Sequence, residues 1–201
     1  EGDTVTEAKP NAGHLHRGFE KLMEERIWIK NTALVPRICV EEPDINEMVY
    51  AMGYEAIGEL EVPERAHYIR SIILELARLQ GHIFSIGGNA AGIGQYTVMH
   101  WGTLTRDYIL DIFEEITGGR VYHIYIRPGG VRQDLSDKTF EKILDLMDDL
   151  EENRLPDLDK TLFENPNTQK RWKGTAVITA EEAMEMGATG PVLRGAGKAY
   201  D

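Results

Sequence analysis

The segment from Pro63 to about Ile86 carries apolar residues at helical spacing, and it constrains the fold more than any other part of the chain. Pro63 suits the first turn of a helix, Glu64 suits the positive end of its dipole, and Gly87-Gly88 should end it. Val98–Thr117 has the same character and is followed by Gly118-Gly119. Helices of this length with short connections predict a helix bundle.

Shorter helices surround these two, and β structure is confined to one place. Val121–Ile126 is β-branched and aromatic, which predicts a strand, and Arg127–Gly130 predicts the turn after it. Asp44, with Glu47 three residues on, has the spacing of a capping box. The remaining expectations are helices over about His14–Lys30, Asp44–Gly58, Asp137–Phe163 with a break or kink at Leu155-Pro156, and Ala180–Met186, and irregular structure over 1–13 and 189–197. The fold class is therefore mostly α, with small β elements.

The charge balance and the single cysteine exclude several classes of protein. A net charge of -12 over 201 residues argues against a nucleic-acid surface, which would be basic. Cys39 alone can form neither an internal disulfide nor a soft-metal site, which takes about four sulfur or nitrogen ligands. The longest apolar runs are far shorter than the ~20 residues of a transmembrane helix. We expect a cytoplasmic protein whose membrane link, if any, is made through partners.

The two ends of the sequence suggest a piece of something longer. The chain starts at Glu1 without Met and stops at Tyr200-Asp201, just after a turn-rich stretch. We expect it to be a segment of a larger protein.

Two motifs near the amino-terminal end could carry chemistry. Cys39 lies in a Pro- and acid-rich break between two helical stretches, where a thiol can react or touch a cluster held by a partner. The alternative is a small buried hydrophobe. His14, His16 and Arg17 lie at a helix start and could contact an anion, a cluster or a metal. The alternative there is a capped helix start with surface histidines.

Two further motifs lie in the middle of the chain. Glu75, Arg78 and His82 fall at i, i+3 and i+7 on one helix face, which can hold an ion pair and a titrating imidazole near a buried site, or can be an exposed polar stripe. Arg127 leaves the predicted strand into a rigid Pro-Gly-Gly turn and cannot lose its charge. It suits steadying a reduced, negatively charged centre, or it is part of a structural turn.

Four runs in this order resemble those of one superfamily: GHLHRGFEKL, EVPERAHYIRSIILELARLQGH, DIFEEITGGRVYHIYIRPGGVRQDL and TGPVLRGAGKAYD. They are similar to the large catalytic subunit shared by respiratory complex I (where it is the 49 kDa, D-type component) and membrane-bound nickel–iron hydrogenases. The resemblance implies a helix bundle of the nickel–iron hydrogenase large-subunit type with small β elements. Residues 1–201 are expected to be the central part of that one domain, without the family's amino- and carboxy-terminal parts.

The resemblance also implies a partner that holds iron and sulfur. In that family the subunit packs on a small subunit with the proximal 4Fe–4S cluster, and Arg17, His82 and Arg127 are expected near it. A fixed cation and a titratable imidazole stabilise a reduced cluster and can couple its potential to pH. No metal or cofactor is expected on this chain alone.

Departures from the family pattern indicate the subclass. The hydrogenases carry Cys-Gly-x-Cys after Arg-Ile, whereas here Cys39 keeps the first position and Glu42 stands at the second, so a nickel–iron centre is not expected. Quinone-reducing members carry a tyrosine in the same loop, and alignment on Tyr50 places Val40 there. That register could slip by one or two residues, so the exclusion of quinone is the weaker of the two. What remains resembles the archaeal membrane-bound sulfane-sulfur reductase branch.

This resemblance implies a reaction and a set of partners. The implied reaction is reduction of polysulfide by electrons from the partner's cluster, coupled to ion pumping, with Cys39, Arg37 and Glu42 as catalytic residues. The implied partners are an iron–sulfur small subunit like the B-type component of complex I, further hydrophilic subunits and membrane ion-translocating subunits. The chain would lie peripherally at the cytoplasmic face of the membrane. Two alternatives stay open: a quinone-reducing subunit, and a non-catalytic scaffold that holds the cluster subunit.

Overall fold

Helices dominate the computed structural model, which describes residues 4–199. Expectations for residues 1–3 and 200–201 lie outside the described residues. The elements are α1 (Phe19–Glu25), α2 (Trp28–Asn31), a 3-10 turn (Val35–Ile38), α3 (Pro43–Gly58), α4 (Glu64–Gly92), α5 (Tyr96–Thr117), β1 (Ile126–Arg127), β2 (Gly130–Val131), α6 (Asp137–Asp149), α7 (Leu155–Leu158), α8 (Pro166–Trp172), α9 (Ala180–Glu185) and α10 (Gly190–Gly195). Two π-helical turns, Leu150–Arg154 and Asp159–Phe163, flank α7. The mostly α prediction is confirmed.

The pair α4 and α5 forms the centre of the bundle, and α4 is longer than the sequence predicts. Gly87-Gly88 does not end α4, which continues to Gly92. A Cβ on Gly87 would lie 3.3 Å from the Met99 Cα, and one on Gly102 would lie 3.2 Å from the Ile83 carbonyl oxygen. These glycines therefore let the two helices approach closely, and Gly87 does not act as a helix stop.

The main core lies where α4 and α5 meet α3, α6 and the short hairpin that β1 and β2 form. Its α4 residues recur at three- and four-residue intervals, as expected for one buried face of a helix. The buried members on α4 and α5 are Ile69, Ile73, Leu76, Ala77, Ile83, Ile109, Leu110, Ile112, Phe113 and Ile116. A smaller cluster joins Ala90 and Val98 to Leu158 and Leu162 near the far end of α4.

The predicted strand Val121–Ile126 is almost entirely irregular, and only Ile126–Arg127 pairs, antiparallel with Gly130–Val131. Tyr122 and Ile124 have φ of 60° and 49°, which a strand does not allow. For a β-branched residue such as Ile124, that backbone costs about 1–3 kcal/mol and must be held by its surroundings.

Glu47 of α3 holds this irregular segment. Its carboxylate accepts backbone N–H hydrogen bonds from Ile124 at 2.7 Å, Tyr125 at 2.8 Å and Ile126 at 3.0 Å. The capping-box prediction for Asp44 and Glu47 is therefore wrong. α3 begins at Pro43, and both side chains bind a segment distant in sequence.

Asp44 anchors the same segment through His123, and both side chains are fully buried. His123 Nδ1 lies 3.0 and 2.9 Å from the two Asp44 carboxylate oxygens, and Nε2 lies 3.2 Å from the Arg120 carbonyl oxygen. Because a carbonyl oxygen can only accept, Nε2 donates to it, and Nδ1 and Asp44 share one further proton. The Phe113 ring stacks on the imidazole at 4.0 Å between centroids.

A third acidic residue, Glu55, connects the carboxy-terminal part of α3 to the turn between β1 and β2. It pairs with Arg70, whose side chain is 1% exposed, at 2.5 Å, and it accepts the Gly129 N–H at 2.9 Å. Arg70 also donates to the carbonyl oxygens of Arg127 and Gly130, each at 2.9 Å. Burial alone would raise the pKa of Glu55, but the hydrogen bonds from Arg70 and Gly129 and the charge of Arg70 hold it below its ordinary value.

The chain ends differ from the sequence prediction in three places. The helix expected over His14–Lys30 begins only at Phe19, so His14, His16 and Arg17 precede it, and it is broken at Arg26, which is extended. The Asn31 amide donates to the Met23 carbonyl oxygen at 3.1 Å, which holds α2 against α1. α8 was not expected; the Asn165 side chain caps it. The expected loop from 189 contains α10, where Pro191 suits the first turn and Leu193 is buried.

The helix predicted near Ala180–Met186 is confirmed as α9, with a capping box between Thr179 and Glu182. Asp137–Phe163 is helical throughout, although π-helical turns rather than a simple kink flank Leu155-Pro156. In the part of the chain described, no helix is both long and apolar enough to cross a membrane.

Glu47 should make stability depend on pH. Burial, and then the nearby Asp44 charge, raise the pKa of Glu47 from 4.5 to about 7, against the lowering effect of its three backbone hydrogen bonds. The native state therefore keeps a proton that the unfolded chain releases near pH 4.5. This contribution is fully present below pH 4.5 and is lost as the pH rises through 7, by roughly 3 kcal/mol.

Urea unfolding of the wild type and of Glu47→Gln, measured from pH 4.5 to 8, tests this expectation. The neutral Gln side chain removes the titration, so the difference in unfolding free energy between the two proteins should change across this window. Parallel pH profiles for the two proteins would contradict the raised pKa.

Arg70→Met should destabilise the protein by about 3–5 kcal/mol, because it leaves Glu55 largely buried without its partner. Arg78→Met, on the same helix, breaks only the exposed pair with Glu75 and should cost less than about 1 kcal/mol. Chemical denaturation of the two variants makes the comparison. An equal loss of unfolding free energy in the two variants would show that the buried pair contributes no more to stability than the exposed pair.

Candidate functional site

The Cys39 loop, defined here as residues Cys39–Glu42, joins the 3-10 turn to α3. Cys39 is extended, with φ of -127° and ψ of 128°, and its free thiol side chain is partly buried. Val40, the next residue, is 53% exposed. The loop therefore places the chain's one thiol near the surface, directly before the buried start of α3.

The loop is docked on α4. Gln80 Nε2 donates to the Glu41 carbonyl oxygen at 2.8 Å, and Ser85 Oγ donates to Glu41 Oε2 at 3.3 Å. The Glu42 side chain lies against Gly81, where an added Cβ would be 2.7 Å from Glu42 Oε1 and 2.9 Å from its Cγ. Backbone and side chains of the loop are thus both held by one face of α4.

Two arginines border the loop on its amino-terminal side. The Arg17 guanidinium donates to the Arg37 carbonyl oxygen, two residues before Cys39. The Arg37 guanidinium donates to the Ala33 carbonyl oxygen at 2.5 Å and lies 5.0 Å from the centroid of the Tyr122 ring. The structure therefore joins Arg17 and Arg37, which the sequence placed in separate motifs.

A third arginine approaches from α5. Arg106 lies 5.2 Å from the Phe84 ring centroid, and burial lowers the pKa of its guanidinium while the charge of Glu41 partly offsets that effect. Among the acidic groups near Arg106, Glu41 therefore has the largest effect on the pKa of its guanidinium. The loop lies among positive charges from three parts of the chain.

His82 follows Gly81 on α4, so it lies beside the residue against which Glu42 packs. Its side chain is exposed, as are those of His14 and His16. The predicted face of Glu75, Arg78 and His82 is exposed, with an ion pair of 2.6 Å between Arg78 and Glu75. Glu75 also lines a cavity of about 420 Å³.

Arg127 is not brought together with the other predicted site residues. Its carbonyl oxygen is held by Arg70, eleven residues before Gly81 on α4, which is roughly 16 Å along the helix axis. Its side chain is exposed beside a cavity of about 580 Å³ that Arg65 and Pro128 also line. A place for Arg127 beside a partner's cluster stays a prediction.

Gln80 and Gly81 were missed by the sequence reasoning. The signal that could have found Gln80 is its position four residues after Leu76, on the apolar face of α4, where it is 1% exposed. A buried amide in an apolar row usually has a specific hydrogen-bond partner. Asp44 and Glu47 were noticed, but their partners near residue 123 could not be read from local spacing.

The donor set does not suit a metal or cluster held by this chain. Over residues 4–199, no group of three or more His, Cys, Asp and Glu side chains is arranged to hold a metal ion. A 4Fe–4S cluster takes about four thiolates, and the chain has one cysteine. Any such cluster beside this loop would have to take most of its ligands from outside these 201 residues.

Exposed apolar side chains occur in the loop and in the segment that precedes it. Leu15 is 91% exposed, Trp28 48% and Ile38 41%, in addition to Val40. Apolar side chains gathered near a charged loop are typical of surfaces that bind other proteins.

Comparison with known proteins agrees with this architecture. A sulfane sulfur reductase structure, described as an archaeal respiratory membrane complex, contains a chain that matches 95% of this one with a TM-score of 0.91 and 47% identity. The D-type component of NADH-quinone oxidoreductase from Thermosipho melanesiensis is 55% identical over all 201 residues, and its counterpart from Nocardia farcinica is 39% identical over 203 aligned positions.

The chain spans about half the length of these proteins: 54% of the Thermosipho protein, 45% of the Nocardia protein and 51% of the reductase chain. The family described as respiratory-chain NADH dehydrogenase, 49 Kd subunit, matches residues 92–201, more than half of the chain. The chain belongs to this family, the 49 kDa subunit of respiratory-chain NADH dehydrogenase.

Proposed function

We propose that this chain is the acceptor-side subunit of a membrane-bound respiratory oxidoreductase and that its acceptor is polysulfide. The observation that carries the proposal is the Cys39 loop: one partly buried thiol beside Glu42, bordered by Arg17 and Arg37. The similarity to a chain of a sulfane sulfur reductase supports the same acceptor.

The charges around the loop suit an anionic sulfur chain. Polysulfide is a dianion at neutral pH, and the Arg17 and Arg37 guanidinium groups attract it to the thiol of Cys39. A thiol reacts as its thiolate, which nearby positive charge favours. The chain's own residues therefore bind and orient the sulfur chain at Cys39.

Cleavage of one S–S bond consumes two electrons and two protons and releases two thiol or hydrosulfide groups. A partner's 4Fe–4S cluster supplies the electrons when it is bound beside the loop. In this proposal the protons come from Glu42, which packs against Gly81, and from His82, the next residue of α4. Arg17 and His82 also face the partner's cluster in this proposal.

Partners and location follow from the same surface. The exposed apolar residues of the loop and of the segment that precedes it receive a small iron–sulfur subunit, like the B-type component of complex I. Further hydrophilic subunits and membrane subunits that translocate ions complete the complex. The chain then lies peripherally at the cytoplasmic face of the membrane.

Quinone reduction is the second candidate, because the curated relatives are NADH-quinone oxidoreductase subunits. Against it, alignment on Tyr50 places Val40 at the loop position of the tyrosine of quinone-reducing members, and an exposed valine has no hydroxyl to bind a quinone headgroup. The third candidate, a scaffold without catalysis, predicts that the loop residues tolerate substitution.

An acceptor panel on the whole complex distinguishes these candidates. A low-potential donor is supplied, and polysulfide, protons and a soluble quinone are offered in turn. We expect polysulfide alone to be reduced, and Cys39→Ser to lower that rate by about tenfold or more, an increase of ~1.4 kcal/mol in the barrier. Quinone reduction, or a wild-type rate for Cys39→Ser, would contradict the proposed role.

His82→Asn tests proton delivery. If His82 donates a proton, the variant should lower the turnover number and alter the pH–rate profile of polysulfide reduction. His67→Asn is the matched control, because His67 is an exposed histidine near the opposite end of α4. The scaffold alternative predicts unchanged profiles for both variants while the complex still assembles.

A further inference from the structure

We infer that Gln80 and Gly81 are positioning residues that hold the Cys39 loop in one arrangement on α4. Gln80 fixes the loop's backbone, and Gly81 leaves the space that the Glu42 side chain fills. This inference deepens the proposed function and rests on it only for the effect on turnover.

Gln80 is buried at a position where an apolar residue would otherwise be expected. It follows Leu76 by one turn and precedes Ile83 on the buried face of α4, and it is 1% exposed. Its Oε1 has no hydrogen-bond partner among the described residues, and leaving such an atom buried is unfavourable. The bond from Nε2 to the Glu41 carbonyl oxygen is the specific gain that explains an amide here.

Gly81 is explained by the space it leaves. Its backbone is helical, where alanine is the better helix former. An alanine methyl would nevertheless lie 2.7 Å from Glu42 Oε1 and 2.9 Å from Glu42 Cγ. The oxygen could swing away by itself, but moving Cγ requires another χ1 rotamer of Glu42 or a shift of the loop. Either change removes the present arrangement of the Glu42 side chain on α4.

The contacts from α4 hold two adjacent residues of the loop, Glu41 and Glu42. Gln80 holds the main chain of Glu41, Ser85 holds its carboxylate, and Gly81 receives the side chain of Glu42. Cys39 lies two residues before Glu41, and on its other side Arg37 is held by Arg17. The thiol is therefore fixed between two anchored points, at a defined position relative to Glu42.

The chain offers a matched control for Gly81. Gly88 is seven residues further along α4, also helical, and a Cβ there would meet nothing within 4 Å. Gly88→Ala therefore adds the same methyl group to the same helix without touching the loop.

The reactivity of Cys39 provides the test, because it is the only thiol of the chain. The intact complex is treated with iodoacetamide, and alkylation of the Cys39 peptide is followed by mass spectrometry. Gly81→Ala and Gln80→Met should each raise the alkylation rate by about fivefold, the effect of losing one ordinary hydrogen bond on a local opening equilibrium. Gly88→Ala should leave the rate unchanged.

A compensating variant separates positioning from general destabilisation. Glu42→Ala removes the atoms that the methyl group would meet, so Gly81→Ala combined with Glu42→Ala should alkylate at the rate of Glu42→Ala alone. If the Gly81 variant fails to fold, Gln80→Met carries the test by itself.

Wild-type alkylation rates in folded Gly81→Ala and Gln80→Met, or an equal increase in Gly88→Ala, would overturn the inference. The proposed function fails independently, if the wild-type complex does not reduce polysulfide while the alkylation rates still change as expected. If both stand, the two variants should lower the turnover number for polysulfide with little change in the thermal midpoint of unfolding.

Discussion

A row of buried acidic side chains on α3 is the constraint on which the rest of the structure depends. Asp44, Glu47 and Glu55 bind the segment between α5 and α6 through an imidazole, three backbone N–H groups and the hairpin turn. They supply the acceptors that a neighbouring strand would supply in a sheet, which allows the backbone around Ile124 to keep a positive φ. This segment then packs Tyr125 and Ile126 into the main core.

The same row determines where the candidate site can lie. Because Asp44 is locked to His123 at the first turn of α3, the carboxy-terminal end of the Cys39 loop cannot move freely. Hydrogen bonds within the protein, rather than solvent, compensate the burial of these charged groups. Removing one partner therefore leaves the other buried and unpaired, which lowers the free energy of unfolding. These contacts can therefore fix the backbone position of the loop without a disulfide or a metal in this chain.

Local periodicity predicted the long helices because α4 and α5 each bury one face. It could not distinguish a glycine that ends a helix from a glycine that allows two helices to approach closely. Gly118 ends α5 as expected, whereas Gly87 admits Met99 of the neighbouring helix. Glu47 has capping-box spacing, yet its partners lie 77 or more residues along the chain. Cys39, Arg37 and Glu42 belong to one sequence motif, and the family resemblance named them, so their catalytic roles stay predictions. Gln80 joins them only because α4 lies beside the loop.

Three arginines lie near a loop that itself carries Glu41 and Glu42: Arg17, Arg37 and Arg106. A net charge of -12 repels anions at long range, but screening limits that repulsion to about 8 Å at physiological ionic strength. Near Cys39 two of these arginines border the loop: Arg37 is two residues away, and Arg17 binds the Arg37 carbonyl oxygen. Arginine side chains attract a sulfur dianion more strongly than a neutral quinone headgroup, and this difference supports the proposed acceptor only if the arginines outweigh Glu41 and Glu42 at Cys39.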